Sequence, residues 1–140
     1  VAHIHADPHF RDTLDTALAG RTFDVAIATY GRIRLVAEAL EDKTPRFIGV
    51  GGNPVYRGLF VPARNFPMGL KVPTSEDAPV AQSEADGRLS YLVAQAEQAV
   101  MQKHRPGQFD VTYFRYPLVY GPIPVNEFLA SIMTSATPAA

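Results

Sequence analysis

Three short apolar runs, each preceded by a segment with helical periodicity, constrain the fold of this chain more than any other feature. The runs lie at residues 23–28, 47–50 and 111–116, and the helical segments lie at residues 11–19, 33–40 and 89–104. Continuous apolar runs are typical of strands that are covered on both faces, and their alternation with helices favours parallel strand pairs. We therefore predict an α/β fold with a doubly wound parallel sheet and helices on both of its faces.

The remaining segments predict one more strand, a long loop and a final helix. Residues 2–5 have the composition of a short strand, and residues 126–133 have helical spacing. Residues 51–87 contain five prolines and little periodicity, which predicts a loop. Ligands bind to parallel sheets beyond the carboxyl ends of the strands. The residues that follow the predicted strands are therefore candidate site residues.

The composition excludes several classes of function. With 13 basic and 14 acidic residues the net charge is −1, which provides no electrostatic attraction for nucleic acid or an anionic membrane. The sequence has no cysteine, which excludes disulfides and cysteine-ligated metals. No apolar run approaches the ~18–20 residues of a membrane span, so we expect no nucleic-acid or membrane partner and, by default, a cytoplasmic location. For His3, His5 and His9 we favour ordinary histidines over a metal site.

Five segments, taken in order, carry a resemblance to a known family. They are residues 24–30, residues 46–56 with their Gly-Gly-Asn-Pro-Val-Tyr ending, the Pro-rich residues 73–79, the pair Ser90-Tyr91, and residues 115–122 with the sequence Arg-Tyr-Pro-Leu-Val-Tyr-Gly-Pro. Together they resemble the NAD-dependent epimerase/dehydratase branch of the extended short-chain dehydrogenase/reductase superfamily, from Asp7 to Pro122. The resemblance implies that residues 1–122 form part of a Rossmann-like NAD(P)-binding domain. Residues 123–140 then begin a C-terminal region or form a loose tail.

The same resemblance implies a set of site residues. Tyr91 takes the position of the family's catalytic tyrosine, which exchanges a proton with the substrate, whereas Gln95 and Gly52 replace the family's lysine and serine. Gly52 and Asn53 fall on substrate-binding positions. The implied contacts to an NAD or NADP cofactor are Asp7, Thr29, Tyr30, Gly31, Gln95, Tyr116 and Pro117. Because Gln95 brings no positive charge, Tyr91 is expected to donate a proton more readily than it accepts one.

The family's glycine-rich fingerprint, Gly-x-x-Gly-x-x-Gly, does not occur in the sequence. The resemblance begins at the family's third strand, so the first two strands of the sheet have no counterpart. We therefore expect the fold to be incomplete, either because the chain belongs to a longer protein or because a partner chain supplies the missing strands; a homo-oligomer is a further alternative. On its own, the chain is expected to bind NAD(H) or NADP(H) more weakly than micromolar.

Two functional hypotheses stay open at this point. The first is an atypical NAD(P)-dependent oxidoreductase or epimerase/dehydratase that acts on a hydroxyl or keto group of a small polar, sugar-nucleotide-like metabolite, with Tyr91 as the acid/base. The second is a catalytically degenerate dinucleotide-binding sensor or assembly subunit, which the missing serine and lysine favour. Non-catalytic interpretations also exist for single residues: Tyr91 covers the sheet, Asp7 caps a helix, and Gly51 and Gly52 allow close packing. Tyr113 and Phe114 are predicted to lie in the core.

Overall fold

The structure is a computed structural model that describes residues 2–29 and 31–117. Its helices and strands are α1 (Arg11–Ala17), β1 (Ala26–Ala28), α2 (Ile33–Leu40), β2 (Arg46–Gly52), α3 (Arg88–Met101) and β3 (Asp110–Tyr116). The segment between β2 and α3 holds three short 3-10 turns, namely Asn53–Val55, Pro62–Arg64 and Glu84–Asp86. The chain is therefore an α/β protein. Residues 53–87 form the predicted loop, whereas its first two predicted residues, Gly51 and Gly52, belong to β2.

The three strands form one parallel sheet in the order β1-β2-β3. In this register Phe47 lies opposite Ala26 on one side and opposite Val111 on the other. The adjacency confirms that the three apolar runs form neighbouring parallel strands. Parallel pairing also brings the carboxyl ends of all three strands to one edge of the sheet, where ligands bind in folds of this kind.

One face of the sheet carries the hydrophobic core. Side chains alternate along a strand, so Phe47 and Val111 point to the same face, where α2 and α3 pack against them. Phe47 and Phe109 are fully buried, and their rings stack at a centroid distance of 5.5 Å. Ala37 of α2 and Val100 of α3 are also fully buried in this cluster. The small side chain of Ala37 lets α2 approach the sheet closely.

Among the described residues no helix covers the opposite face of the sheet, so the doubly wound arrangement stays a prediction. Ile27 is 64% exposed, Phe114 46% and Tyr116 53%. The register places these three side chains on the face that α2 and α3 do not contact. Among the described residues, helices therefore cover one face only. The prediction that Phe114 lies in the core is wrong within the described residues. None of the described helices packs on the face of the sheet that carries Phe114.

Two predicted strands differ from the observed structure. Residues 2–5 form no strand, because no described strand lies beside them to pair with their backbone groups. The run at residues 23–28 is a strand only at Ala26–Ala28, since the Phe23 amide donates instead to the carbonyl of Lys43. The helix predicted at residues 126–133, the domain boundary at residues 122–123 and the motif residues after Pro117 lie outside the described part of the chain.

The helices agree closely with the sequence pattern. The bounds of α2 match the prediction, whereas α1 ends at Ala17 and α3 at Met101, two and three residues before the predicted ends. At the end of α3, the Lys103 amide bonds to Val100 and the His104 amide to Met101, so the chain tightens into turns after the helix. Within the described residues, no helix combines the length and the apolar character that a bilayer span requires.

The long loop after β2 is held in place by buried polar contacts. Asp86 is almost fully buried, and its carboxylate accepts hydrogen bonds from the Arg64 guanidinium at 2.8 Å and from the Gln82 amide at 2.9 Å. These bonds stabilise the charged form and lower the pKa of Asp86 to about 2. A second anchor is Asn65, whose side-chain amide donates to the carbonyls of Arg57 and Gly69. The loop is therefore ordered by specific bonds despite its lack of regular elements.

Candidate functional site

A cavity of about 930 Å³ lies at the carboxyl ends of β1 and β2, between α2 and α3. We call it the α2–α3 cavity. Three of the predicted site residues, Thr29, Gly31 and Gly52, line it. Tyr30 lies outside the described residues. The structure thus brings part of the predicted cofactor and substrate positions together at the edge of the sheet where the fold favours binding.

A second cavity, of about 800 Å³, lies beside the carboxyl end of β3. We call it the β3-edge cavity. It is lined by three further predicted site residues, Asn53, Tyr116 and Pro117. The side-chain oxygen of Asn53 is buried and has no hydrogen-bond partner among the described residues. A buried acceptor of this kind is costly unless a ligand or water satisfies it, so Asn53 is the strongest candidate for a ligand contact in this cavity.

Gly49 and Gly51 are glycines because a tyrosine ring occupies the space beside them. A Cβ atom on Gly51 would stand 2.5 Å from the Tyr113 hydroxyl oxygen, and one on Gly49 would stand 2.7 Å from the Tyr113 ring. Real Cβ atoms do not approach other atoms so closely, so a side chain at either position would require the Tyr113 ring to move. Close packing against Tyr113 therefore explains why residue 51 is a glycine, and no ligand is needed for that explanation.

Gly52 is also limited by its neighbours. A Cβ atom there would lie 2.9 Å from Cδ of Pro54. A serine, which the family resemblance implies at this position, does not fit without movement of Pro54. Pro54 therefore occupies the space where a side chain of residue 52 would lie. Gly52 nevertheless lines the α2–α3 cavity.

Tyr91 and Gln95 line neither cavity. The residues of α3 that face the α2–α3 cavity are Leu92, Val93, Ala96 and Ala99. At about 100° per residue, Tyr91 lies roughly 80° around the helix from Ala99 and roughly 160° from Val93, outside the arc that lines the cavity. Gln95 is exposed. The predicted catalytic tyrosine and its neighbour therefore do not share a cavity lining with Gly52 or Asn53, although α3 packs against the turn Asn53–Val55.

Asp7 also lies outside both cavities. Its carboxylate accepts a hydrogen bond from the His9 amide and lies 2.9 Å from Nδ1 of the His9 ring. Hydrogen bonds from the His9 backbone and ring lower the pKa of Asp7. Its backbone groups bond with Thr13, while α1 begins after Phe10 without a side-chain cap. Asp7 thus stabilises the turn before α1, and it is His9 that reaches the α2–α3 cavity.

The charged groups of the α2–α3 cavity come from both ends of α2. Arg32 and Arg34 lie at its start and Glu38 in its last turn, and His9 adds a fourth polar group from the turn before α1. Neither arginine forms an ion pair within residues 2–29 and 31–117. Arg32 adopts a left-handed conformation with φ of 31°, directly after Gly31 with φ of 52°. These two residues turn the chain into α2 beside the cavity.

Arg115 has a structural role at the β3-edge cavity. Its guanidinium donates to both carboxylate oxygens of Glu97, at 2.6 and 3.0 Å, and to the Glu76 carbonyl at 2.9 Å. It also lies over the Tyr56 ring, 5.1 Å from the centroid. The Glu97 carboxylate raises the pKa of Arg115 above its ordinary value. Arg115 thereby ties β3 to α3 and to the long loop, and its donors are occupied within the protein.

Sequence reasoning missed Tyr113, which lines both cavities. The signal for it was present: Gly49 and Gly51 are two residues apart and share one face of β2, which leaves room for a large side chain on the neighbouring strand. The sequence alone does not show that Tyr113 fills this space, because that depends on the register between β2 and β3.

No family model, no curated protein and no solved structure matches this chain. Within the part of the chain that the structure describes, no group of three or more His, Cys, Asp or Glu side chains is arranged to hold a metal ion.

Proposed function

We propose that the chain forms part of a Rossmann-like domain that binds a nicotinamide dinucleotide in the α2–α3 cavity without Tyr91 acting as an acid/base. The observation that carries this proposal is the position and lining of that cavity. It lies at the carboxyl ends of parallel strands, and it combines cationic groups at the start of α2 with an apolar wall on α3. This is the binding-module hypothesis, in which the protein is a sensor or an assembly subunit.

The residues present fit a dinucleotide in several respects. A volume of about 930 Å³ lies within the ~300–1,000 Å³ of typical ligand sites. Apart from its two chain neighbours, no described residue has an atom within 4 Å of the Cβ position of Gly31, so a ligand can approach its backbone closely. Arg32 and Arg34 offer charge to phosphate groups, and Val93 and Ala96 offer an apolar surface to a flat ring. A bound nicotinamide dinucleotide would supply hydride-transfer chemistry at this place.

The lining of the α2–α3 cavity gives little support to proton exchange by Tyr91, the catalytic role that the family resemblance implies. The face of α3 that lines it is apolar, and Tyr91 lies on another part of the helix. The enzyme hypothesis, with a small polar metabolite as substrate, is kept as a second candidate because of Asn53. Asn53 lines the β3-edge cavity, and its buried side-chain oxygen has no hydrogen-bond partner among the described residues. The β3-edge cavity adjoins the α2–α3 cavity at Tyr113.

The proposal also includes completion of the sheet by further polypeptide, from the same protein or from a partner chain. The support is the open face of the sheet, where Ile27, Phe114 and Tyr116 are exposed. An apolar sheet face of this kind is normally covered in α/β proteins. The outer edge of β1 is likewise unpaired within the described residues.

The test is saturation-transfer NMR with NAD⁺ at millimolar concentration, a method that detects weak ligands. We expect binding by the 140-residue chain to be weaker than micromolar. The double variant Arg32→Gln/Arg34→Gln should bind roughly 2- to 30-fold more weakly, if each exposed charge contributes about 0.2–1 kcal/mol. The matched control is Arg21→Gln, because Arg21 does not line the α2–α3 cavity. Absence of any saturation transfer, or an equal loss in the control, would contradict the proposal.

A further inference from the structure

We propose that the Tyr113 hydroxyl donates a hydrogen bond to an uncharged ligand oxygen, such as a carbonyl or carboxamide, where the α2–α3 and β3-edge cavities meet. Among the described residues, Tyr113 alone lines both cavities. This inference rests on the proposed function, since it concerns a ligand held in the α2–α3 cavity. The contact proposed for Tyr113 differs from the proton exchange with a substrate that the family resemblance implies for Tyr91.

The position of the hydroxyl is set by packing on β2. The Tyr113 ring lies against Gly49 and Gly51, and its hydroxyl oxygen stands beside Gly51 at the carboxyl end of the strand. The Tyr113 ring therefore cannot move closer to the sheet, because it already packs against the backbone of the two glycines. Gly52, the next residue, lines the α2–α3 cavity, so the hydroxyl lies at the edge of that cavity.

The hydroxyl is free to bind a ligand. It makes no hydrogen bond to any residue in the described ranges, and its atom is not among the fully buried polar atoms that lack a partner. A phenol hydroxyl has one donor hydrogen, which it can donate to a carbonyl oxygen. Tyr113 thus combines a fixed ring with an unengaged donor.

The surroundings of Tyr113 favour the protonated form of its hydroxyl. Burial and the nearby Glu97 carboxylate raise the pKa of Tyr113, and Arg115 opposes them in part. A protonated phenol donates to an acceptor oxygen. Burial disfavours a charged ligand group at this place, and the Glu97 carboxylate is neutralised by its pair with Arg115, so we assign an uncharged acceptor.

The experiment compares Tyr113→Phe with Tyr91→Phe in the full 140-residue chain, using NAD⁺ as the probe. Each change removes one hydroxyl and keeps the ring, so the packing on Gly49 and Gly51 is retained. We expect Tyr113→Phe to bind NAD⁺ roughly 2- to 12-fold more weakly, the effect of one neutral hydrogen bond. Tyr91→Phe should bind like the unchanged chain. Labelling the six tyrosines with ¹³C adds a second readout, because the Tyr113 ring signal should shift when NAD⁺ is added.

The outcomes separate this inference from the proposed function. If NAD⁺ binds to the unchanged chain and to Tyr113→Phe with equal affinity, the inference is wrong and the proposed function stands. A larger loss in Tyr91→Phe than in Tyr113→Phe would also overturn it. If NAD⁺ does not bind at all, the proposed function fails and the inference fails with it. Weaker binding in Tyr113→Phe alone, together with the ring shift, supports both.

Discussion

Replacing Phe47 with alanine is expected to lower the free energy of unfolding by about 3–5 kcal/mol, the usual cost of removing a buried aromatic ring. Phe47 is fully buried on the middle strand and stacks on Phe109. Its removal leaves a cavity beneath both α2 and α3, because the residues of both helices belong to the same cluster. The measurement is urea unfolding followed by circular dichroism.

The matched control is Phe66→Ala, in the long loop. The Phe66 side chain is fully exposed at 101%, so its removal should change the free energy of unfolding by no more than about 0.5 kcal/mol. Equal effects of the two substitutions would mean that the sheet does not pack against α2 and α3 in the described way.

The second large effect is expected for Arg115→Met. Breaking the contact with Glu97 should cost about 3 kcal/mol, the lower end of the range for a buried ion pair, because both side chains keep some contact with solvent. The change also removes the bonds to Tyr56 and Glu76, so the long loop should lose protection against hydrogen exchange. Urea unfolding and hydrogen exchange measure the two effects.

A double-mutant cycle isolates the ion pair. Adding Glu97→Gln to Arg115→Met should cost less than the sum of the single changes, since the unpaired carboxylate is then absent. Arg11→Met is the control, because the Arg11–Asp15 pair is exposed and should contribute no more than about 0.5 kcal/mol. Additive effects at Arg115 and Glu97 would contradict the assigned contact.

The sheet was predictable from the sequence because its signals are local. Each strand carries a continuous apolar run, and a helical segment precedes each one, so parallel neighbours follow from the alternation. The open face was not predictable. The apolar residues Ile27 and Phe114 indicate that this face of the sheet packs against another segment. The pattern within a strand does not show which polypeptide supplies that segment.

The candidate site was predicted only in part. Positions directly after strands, such as Gly31 and Gly52, follow from topology, and the structure places both at the α2–α3 cavity. The orientation of a residue on α3 depends on how the helix rotates against the sheet, and the motif Ser90-Tyr91 carries no information on that rotation. Tyr113 required the register of β3 against Gly49 and Gly51, which only the folded structure provides.

Binding of a nicotinamide dinucleotide at the α2–α3 cavity is tested most directly by a residue-resolved NMR titration of the ¹⁵N-labelled chain with NAD⁺. Glycine amide signals fall in a distinct region of the spectrum. Some glycines of the described residues line the α2–α3 cavity and others do not. The amide signals of Gly31, Gly51 and Gly52 should shift, whereas those of Gly69 and Gly107, which do not line the cavity, should not. Shifts that spread equally over all five glycines, or that leave the three cavity glycines unchanged, would contradict binding at this place.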